Sequence, residues 1–169
     1  TLDCDASPAE DLIKLIESIG QPFGDSSLLP AFWVARAARQ HIKVALAGDG
    51  GDELFGGYRR YTAARSRLGR SVKSLPAGIL PKRDPVSFTA RLARLIAASR
   101  RGYGELVSIF PTPELQSLSP SFDFSWRNGP PLGPASDPLE VDFYEYLSFD
   151  LLRKTDTASM AVALEVRCP

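Results

Sequence analysis

Three carboxylates, Asp49, Asp52 and Glu53, stand among three glycines, Gly48, Gly50 and Gly51, in the stretch KVALAGDGGDELFGGYRRY (43–61). Glycines let a backbone take positive φ and come close to a ligand. Amides at the start of a following helix attract anions such as phosphate. The acids oppose that attraction, and crowded carboxylates raise one another's pKa unless a cation joins them. The helix dipole offsets only about 0.3–1 kcal/mol for each acid in the first turn. That is too little for three acids. A hard divalent cation removes the conflict, because magnesium takes one or two protein carboxylates together with phosphate oxygens and water. The turn therefore suits a magnesium–nucleotide phosphate group. The bland alternative is a capped turn with solvated acids. It is not a Walker A loop, since no Gly-Lys-Ser/Thr follows.

The elements around this turn read as helix, helix, strand, turn, helix. Ser7-Pro8-Ala9-Glu10 predicts a helix start, with Ser7 as cap, Pro8 at the first helical position and Glu10 closing a capping box. Leu12, Ile13, Leu15, Ile16 and Ile19 follow at helical spacing, and Gly20 stops the run. After the turn-rich QPFGDSSLLP, a second helix is expected from about Ser27 to Gln40, with Leu28, Leu29, Phe32, Trp33 and Ala37 inward. The apolar run Ile42 to Ala47 predicts a buried strand, and a helix is expected from about Asp52. That order is the signature of an α/β layered domain. Gly56-Gly57 marks either close packing or a break. His41 is expected at a surface turn, and Tyr58 and Tyr61 are expected to pack.

Beyond Gly69 the prolines accumulate, and Ser87–Ser99 is the clearest helical pattern. SWRNGPPLGPASDP reads as loop. A helix resumes at Pro138 through LEVDFYEYLSFDLL, and a final helix from about Asp156 carries Met160, Val162 and Leu164. Since one strand cannot form a sheet, its partners are expected outside these residues, which makes the chain a fragment.

The 169 residues are 44% hydrophobic and 24% charged, with zero formal net charge. This is the composition of a soluble globular domain. No run approaches the roughly 18–20 apolar residues of a membrane span, and TLDCDASPAED lacks the pattern of a secretory signal. Cys4 and Cys168 suit reduced thiols in a cytoplasmic protein. Between Leu54 and Arg101 twelve Lys and Arg residues face a single acid, Asp84. Aromatic residues for base stacking are sparse there, so a solvated face or an acidic neighbour is expected and a nucleic-acid partner is not.

QPFGDSSLLP (21–30), VALAGDGGDELFGGYRRY (44–61) and LLRKTDTASMAVALEVRCP (151–169) resemble three blocks of the synthetase domain of glutamine-hydrolysing asparagine synthetases. The resemblance implies a partial synthetase domain over 1–169. In it 1–69 is the α/β part with the GDGGDE turn, 70–137 a variable helical part and 138–169 the helices that return to the site. The parent fold would be α/β, that of the ATP pyrophosphatases (adenine nucleotide α-hydrolase-like). This fragment would be predominantly helical, with one or few parallel strands. The implied reaction uses ATP and Mg2+ to convert a carboxylate, aspartate, to an acyl-adenylate. Ammonia then attacks it, supplied by a glutaminase domain absent from these residues. A pyrophosphate loop of the Ser-Gly-Gly-x-Asp-Ser type would precede Thr1, and the fragment alone would be inactive.

By the same resemblance Asp52 would bind magnesium. Asp49 would face the adenylate and the incoming amine, and Glu53 would be the second acid. Gly48, Gly50 and Gly51 would keep the backbone near the nucleotide. Lys154 would stabilise charge on the phosphates, and Asp156, Glu165 and Arg167 would organise the floor of the site. Ala47 stands where the family often has serine, and Thr157 where a basic residue is common. No membrane is expected as a partner, and a homodimer is carried as an oligomeric option. Two other readings stay open: amidation of a different carboxylate, in polysaccharide or antibiotic chemistry, and a non-catalytic helical module that meets an acidic partner through 59–101.

Overall fold

The computed structural model describes residues 6–65, 89, 96, 101–125 and 137–168. They fall into two units. One is drawn from residues up to Leu54 and from Glu145 onward, the other from Phe55–Tyr144.

In the first unit α1 spans Pro8–Ile19 and α2 spans Leu28–Arg39. Leu15, Ile19, Leu28 and Phe32 interlock with Ala158, all 8% exposed or less, to form the core. Burial of each of the four larger side chains stabilises the fold by about 1.5–3 kcal/mol. Trp33 packs at the edge of this cluster. The spacing of α1 is as expected, but Leu12 and Ile13 lie 42% and 61% exposed. Gly20 ends α1 at φ 74°, its N–H bonded to the Ile16 carbonyl. That is the left-handed helix stop a glycine provides.

The start of α1 departs from the expected capping box. Ser7 makes no side-chain cap. Its N–H instead donates to Asp11 Oδ2 at 3.2 Å, so Asp11 rather than Glu10 reaches back. Asp11 also accepts from Trp33 Nε1 at 2.7 Å and Arg36 Nη1 at 3.3 Å. Burial works against its charge, but the Trp33 indole, the Ser7 amide and the Arg36 guanidinium hold the carboxyl below the usual range.

β1 is Val44–Leu46 and β2 is Glu165–Arg167. They pair in parallel, Val44 against Glu165, Ala45 against Val166 and Leu46 against Arg167. The expected buried strand over 42–47 is thus shorter and not buried, with Val44 44% and Leu46 85% exposed. β2 is its one strand neighbour among the described residues. The described residues are mostly helical with two parallel strands, and a partner for β1 lies within the chain, not outside it as expected.

The final helix also differs from expectation. α8, Leu152–Met160, starts before Asp156 and stops before Leu164. Ala163 N–H bonds to the Met160 carbonyl and Leu164 N–H to the Ser159 carbonyl, both at 3.0 Å. This is a Schellman stop, with Ala163 at φ 56° in the place glycine usually takes. Arg39 Nε donates to the Ala163 carbonyl at 2.9 Å. His41 is exposed in the turn after α2. α3 runs over Gly51–Phe55, and Gly56 at φ 73° breaks it.

In the second unit α4 is Arg59–Arg65, α5 Tyr103–Val107, α6 Thr112–Leu118 and α7 Pro138–Val141. Asp137 caps α7 by accepting the Leu139 N–H at 2.8 Å. The chain then continues in wide π-helical turns over Asp142–Leu151. Tyr61, Tyr103 and Val141 form the core, joined by Tyr58, Leu106 and Leu139. Asp142, 1% exposed, lies among them. Its Oδ2 accepts from Arg60 Nη2 at 2.8 Å and from the Tyr61 and Tyr103 hydroxyls, each at 2.7 Å. Tyr58 and Tyr61 pack as expected, with the Arg60 guanidinium 4.0 Å from the Tyr58 ring centroid. The helix expected over Ser87–Ser99 lies outside the described residues, apart from Thr89 and Ile96, which are helical. Most of the basic stretch 59–101, residues 126–136 of the stretch expected to be loop, and Cys4 also lie outside them.

Candidate active site

The carboxyl end of β1 feeds the glycine turn. Gly50 is buried at φ 95°, and its carbonyl accepts the Leu54 N–H at 2.9 Å, which starts α3. A Cβ at Gly50 would meet Leu147 Cδ2 at 3.7 Å in a conformation L residues avoid. Gly48 and Gly51 have no positive φ, and a Cβ on either would meet open space. Only one of the three glycines is therefore demanded by the backbone.

The three acids part company. Asp49 is half-buried, and its Oδ2 accepts the Thr155 hydroxyl at 2.5 Å. Asp52 is exposed in the first turn of α3. Glu53 is 2% exposed. No cluster of three or more His, Cys, Asp or Glu among the described residues is arranged to hold a metal ion. Asp52 offers the exposed oxygens that a cation bound mainly by phosphate and water takes from a protein.

Lys154 precedes Thr155 on α8. Its Nζ donates to Asp25 Oδ2 at 2.7 Å and to Ser27 Oγ at 2.8 Å. The pair is mostly shielded, with side-chain exposures of 12% for Lys154 and 21% for Asp25. Burial raises the Asp25 carboxyl, but Lys154 and the Ser27 amide and hydroxyl outweigh it and hold it low. Asp150 shifts the other way. Burial lifts it first and the Asp25 charge adds to that, while Lys154 partly offsets both. Successive residues of one helix thus hold two loops, Lys154 the loop before α2 and Thr155 the loop after β1.

Beside them a recess of about 400 Å3 is lined by Leu152, Arg153, Thr155, Asp156, Val166 and Cys168. Arg153 Nη2 donates to the Ile19 carbonyl at 3.1 Å. Burial pushes the Cys168 thiol up, and the nearby Asp49 charge pushes the same way. Asp156 is exposed. Glu165 and Arg167 pair with each other at 2.7 Å on the surface, a contact of the kind that contributes about 0–1 kcal/mol.

The asparagine synthase family profile matches residues 3–169. The chain belongs to the asparagine synthase family. A Mycobacterium tuberculosis relative that carries an asparagine synthetase (glutamine-hydrolysing) name is 32% identical over 181 residues, 94% of this chain and 27% of its own length. Asparagine synthetase (glutamine-hydrolysing) 1 of Bacillus subtilis is 27% identical over 184 residues, 96% of this chain and 29% of its own. A Methanocaldococcus jannaschii relative with a similar name shares 55% identity over 38 residues, 22% of this chain. The chain spans somewhat over a quarter of the length of the first two relatives. No solved structure matches it.

For this asparagine synthase family chain, the three blocks quoted from the sequence are the ones that α8 draws together. Asp25, Ser27 and Thr155 are the members the sequence did not single out. Asp25 and Ser27 look like turn formers in a turn-rich link. Thr155 is one of two threonines in KTDT, and only the register of α8 tells which meets Asp49. No described helix is long and apolar enough to cross a membrane.

Proposed function

We propose that the full-length protein is an ATP-dependent carbon–nitrogen ligase that converts aspartate to asparagine with glutamine-derived ammonia. The observation that carries this reading is the double attachment of α8, Lys154 to Asp25 and Ser27, Thr155 to Asp49. It ties one helix to the loop before α2 through a cation and to the glycine turn at the carboxyl end of a parallel strand through a hydroxyl on a carboxylate. That is where open α/β sheets take their ligands.

A carboxylate oxygen of aspartate attacks the α-phosphorus of ATP, and pyrophosphate leaves. Ammonia attacks the resulting acyl carbon, and AMP leaves. Lys154 faces the charge that builds on the departing phosphates. Asp49, fixed by Thr155, orients the ammonia and receives a proton as the C–N bond forms. Asp52 would hold magnesium, which supplies charge neutralisation at the phosphates. The turn at Gly48, Gly50 and Gly51 keeps backbone amides near the nucleotide. Glu53, buried at 2% exposure, supports α3 from within.

The test is ATP–pyrophosphate exchange by the full-length protein with aspartate and magnesium. Exchange that requires aspartate and is lost in Asp52→Ala is the expected result. Exchange with a different acid and none with aspartate would replace asparagine with another amide. Absence of exchange with every carboxylate tried would end the ligase reading.

A further inference from the structure

We propose that Asp25 and Ser27 are positioning residues for Lys154, holding its ammonium aimed before any phosphate arrives; this rests on the role given to Lys154 above. The geometry is a closed ring. Lys154 Nζ donates to Asp25 Oδ2 at 2.7 Å and to Ser27 Oγ at 2.8 Å. Ser27 Oγ donates its single proton to Asp25 Oδ1 at 2.7 Å, and Ser27 N–H donates to the same oxygen at 2.8 Å. An ammonium has three hydrogens and no acceptor. Two are used in the ring, and the third remains for a ligand.

A second observation points the same way. Ser27 occupies the N-cap of α2, where a serine side chain ordinarily accepts a helix N–H. Here it makes no such bond. Its hydroxyl meets the lysine and Asp25 instead, and the terminus is held by Asp25, which accepts the Ser27 N–H on its side chain and the Leu28 N–H on its carbonyl. Asp25 thus serves the helix end and the lysine at once, which fixes the carboxylate that the ammonium meets. The lysine stem is long and flexible. A ring that fixes its head removes that freedom in advance, which is the usual work of supporting residues around a reacting group. Asp150 is the other carboxyl near this ring, and its charge adds to that of Asp25 rather than replacing its bonds.

The experiment compares D25N, D25E, S27A and K154Q in the full-length protein. It reads ATP–pyrophosphate exchange and, separately, calorimetric affinity for magnesium pyrophosphate, which needs no acceptor acid. D25N should lower the exchange kcat by about 10- to 100-fold, the scale of a catalytic group displaced by about 1 Å. The KM for ATP should change little, because the lost interaction belongs to the transition state. D25E should recover part of the rate, and S27A should lose several-fold. The D25N/K154Q double variant should be no worse than K154Q alone. Pyrophosphate affinity should fall in D25N about as far as in K154Q.

If K154Q loses both readouts while D25N and S27A keep wild-type values, the positioning role is overturned and the reading of Lys154 survives. If K154Q itself behaves as wild type, that reading fails and takes this proposal with it. D25E and S27A keep the test decisive should D25N not fold.

Discussion

Replacing Thr155 by valine removes one hydroxyl and almost no volume. The lost bond is 2.5 Å long and ends on a carboxylate. Bonds of this charged kind contribute about 1.5–3 kcal/mol. Asp49 is half-buried, so water can partly replace the hydroxyl and the lower end applies, about 1.5 kcal/mol. At 1.36 kcal/mol per factor of ten, that is a loss of about tenfold in rate. The loss should fall on one half of the reaction. Asp49 is assigned to the amine step, so ammonia-dependent asparagine formation should slow about tenfold in T155V while ATP–pyrophosphate exchange stays near wild type. T155S should restore the rate. Amide formation within twofold of wild type in T155V would refute the reasoning. Equal loss in both assays would do so as well, because it would make Thr155 a support for the whole pocket.

Asp142→Ala should destabilise the unit built on Tyr61 and Tyr103 by about 3 kcal/mol, the low end for breaking a buried pair because Arg60 is 31% exposed. Hydrogen exchange of the α4 amides measures this, and D142N should cost less. Burial and the Asp142 carboxylate push the Tyr103 phenol well above its usual range, with Arg60 partly offsetting them. A raised pKa means the contribution is complete below the unfolded value of about 10 and is lost as pH climbs beyond it. Alkaline unfolding of this unit should therefore begin above about pH 10 and be less steep in Y103F. Ala163→Gly should raise stability by about 0.5–1 kcal/mol, since the left-handed φ of 56° costs an alanine about 1–2 kcal/mol and glycine's greater chain entropy takes back about half of that. A thermal melt reads this, and no gain would mean that Arg39 and the Schellman bonds already offset the strain.

Much of this arrangement was legible in the sequence, and the exceptions have physical causes. α1 and α2 follow from apolar spacing and from Gly20, because local periodicity is enough to define a buried helix face. β2 was not readable. Glu165-Val166-Arg167 is three residues long, and its strand state depends on pairing with Val44–Leu46 far away in the chain. The stop before it was hidden as well, because alanine holds the position where glycine would have announced a turn. At the site, residue types singled out the GDGGDE turn as the candidate for chemistry. They did not show that its acids separate, one to Thr155, one to solvent and one inward. That separation depends on tertiary register. Asp25 and Ser27 were hidden for the same reason, since their partner lies in a distant block.

The pairing of β1 with β2 also sets an order of events during synthesis. The two strands lie on the order of a hundred residues apart in the chain, and an entire second unit is threaded between them. Loop closure over such a span is entropically costly, and parallel pairing of remote segments is slow to form. At 5–20 residues per second, a ribosome needs roughly 6–24 s to travel from one strand to the other. For that interval β1 waits with an open edge that includes Val44 and Leu46, a template for pairing with the wrong chain. A nascent protein stalled before Glu165 should therefore be a preferred client of chaperones that shield strand edges, and the emergence of β2 is what releases it.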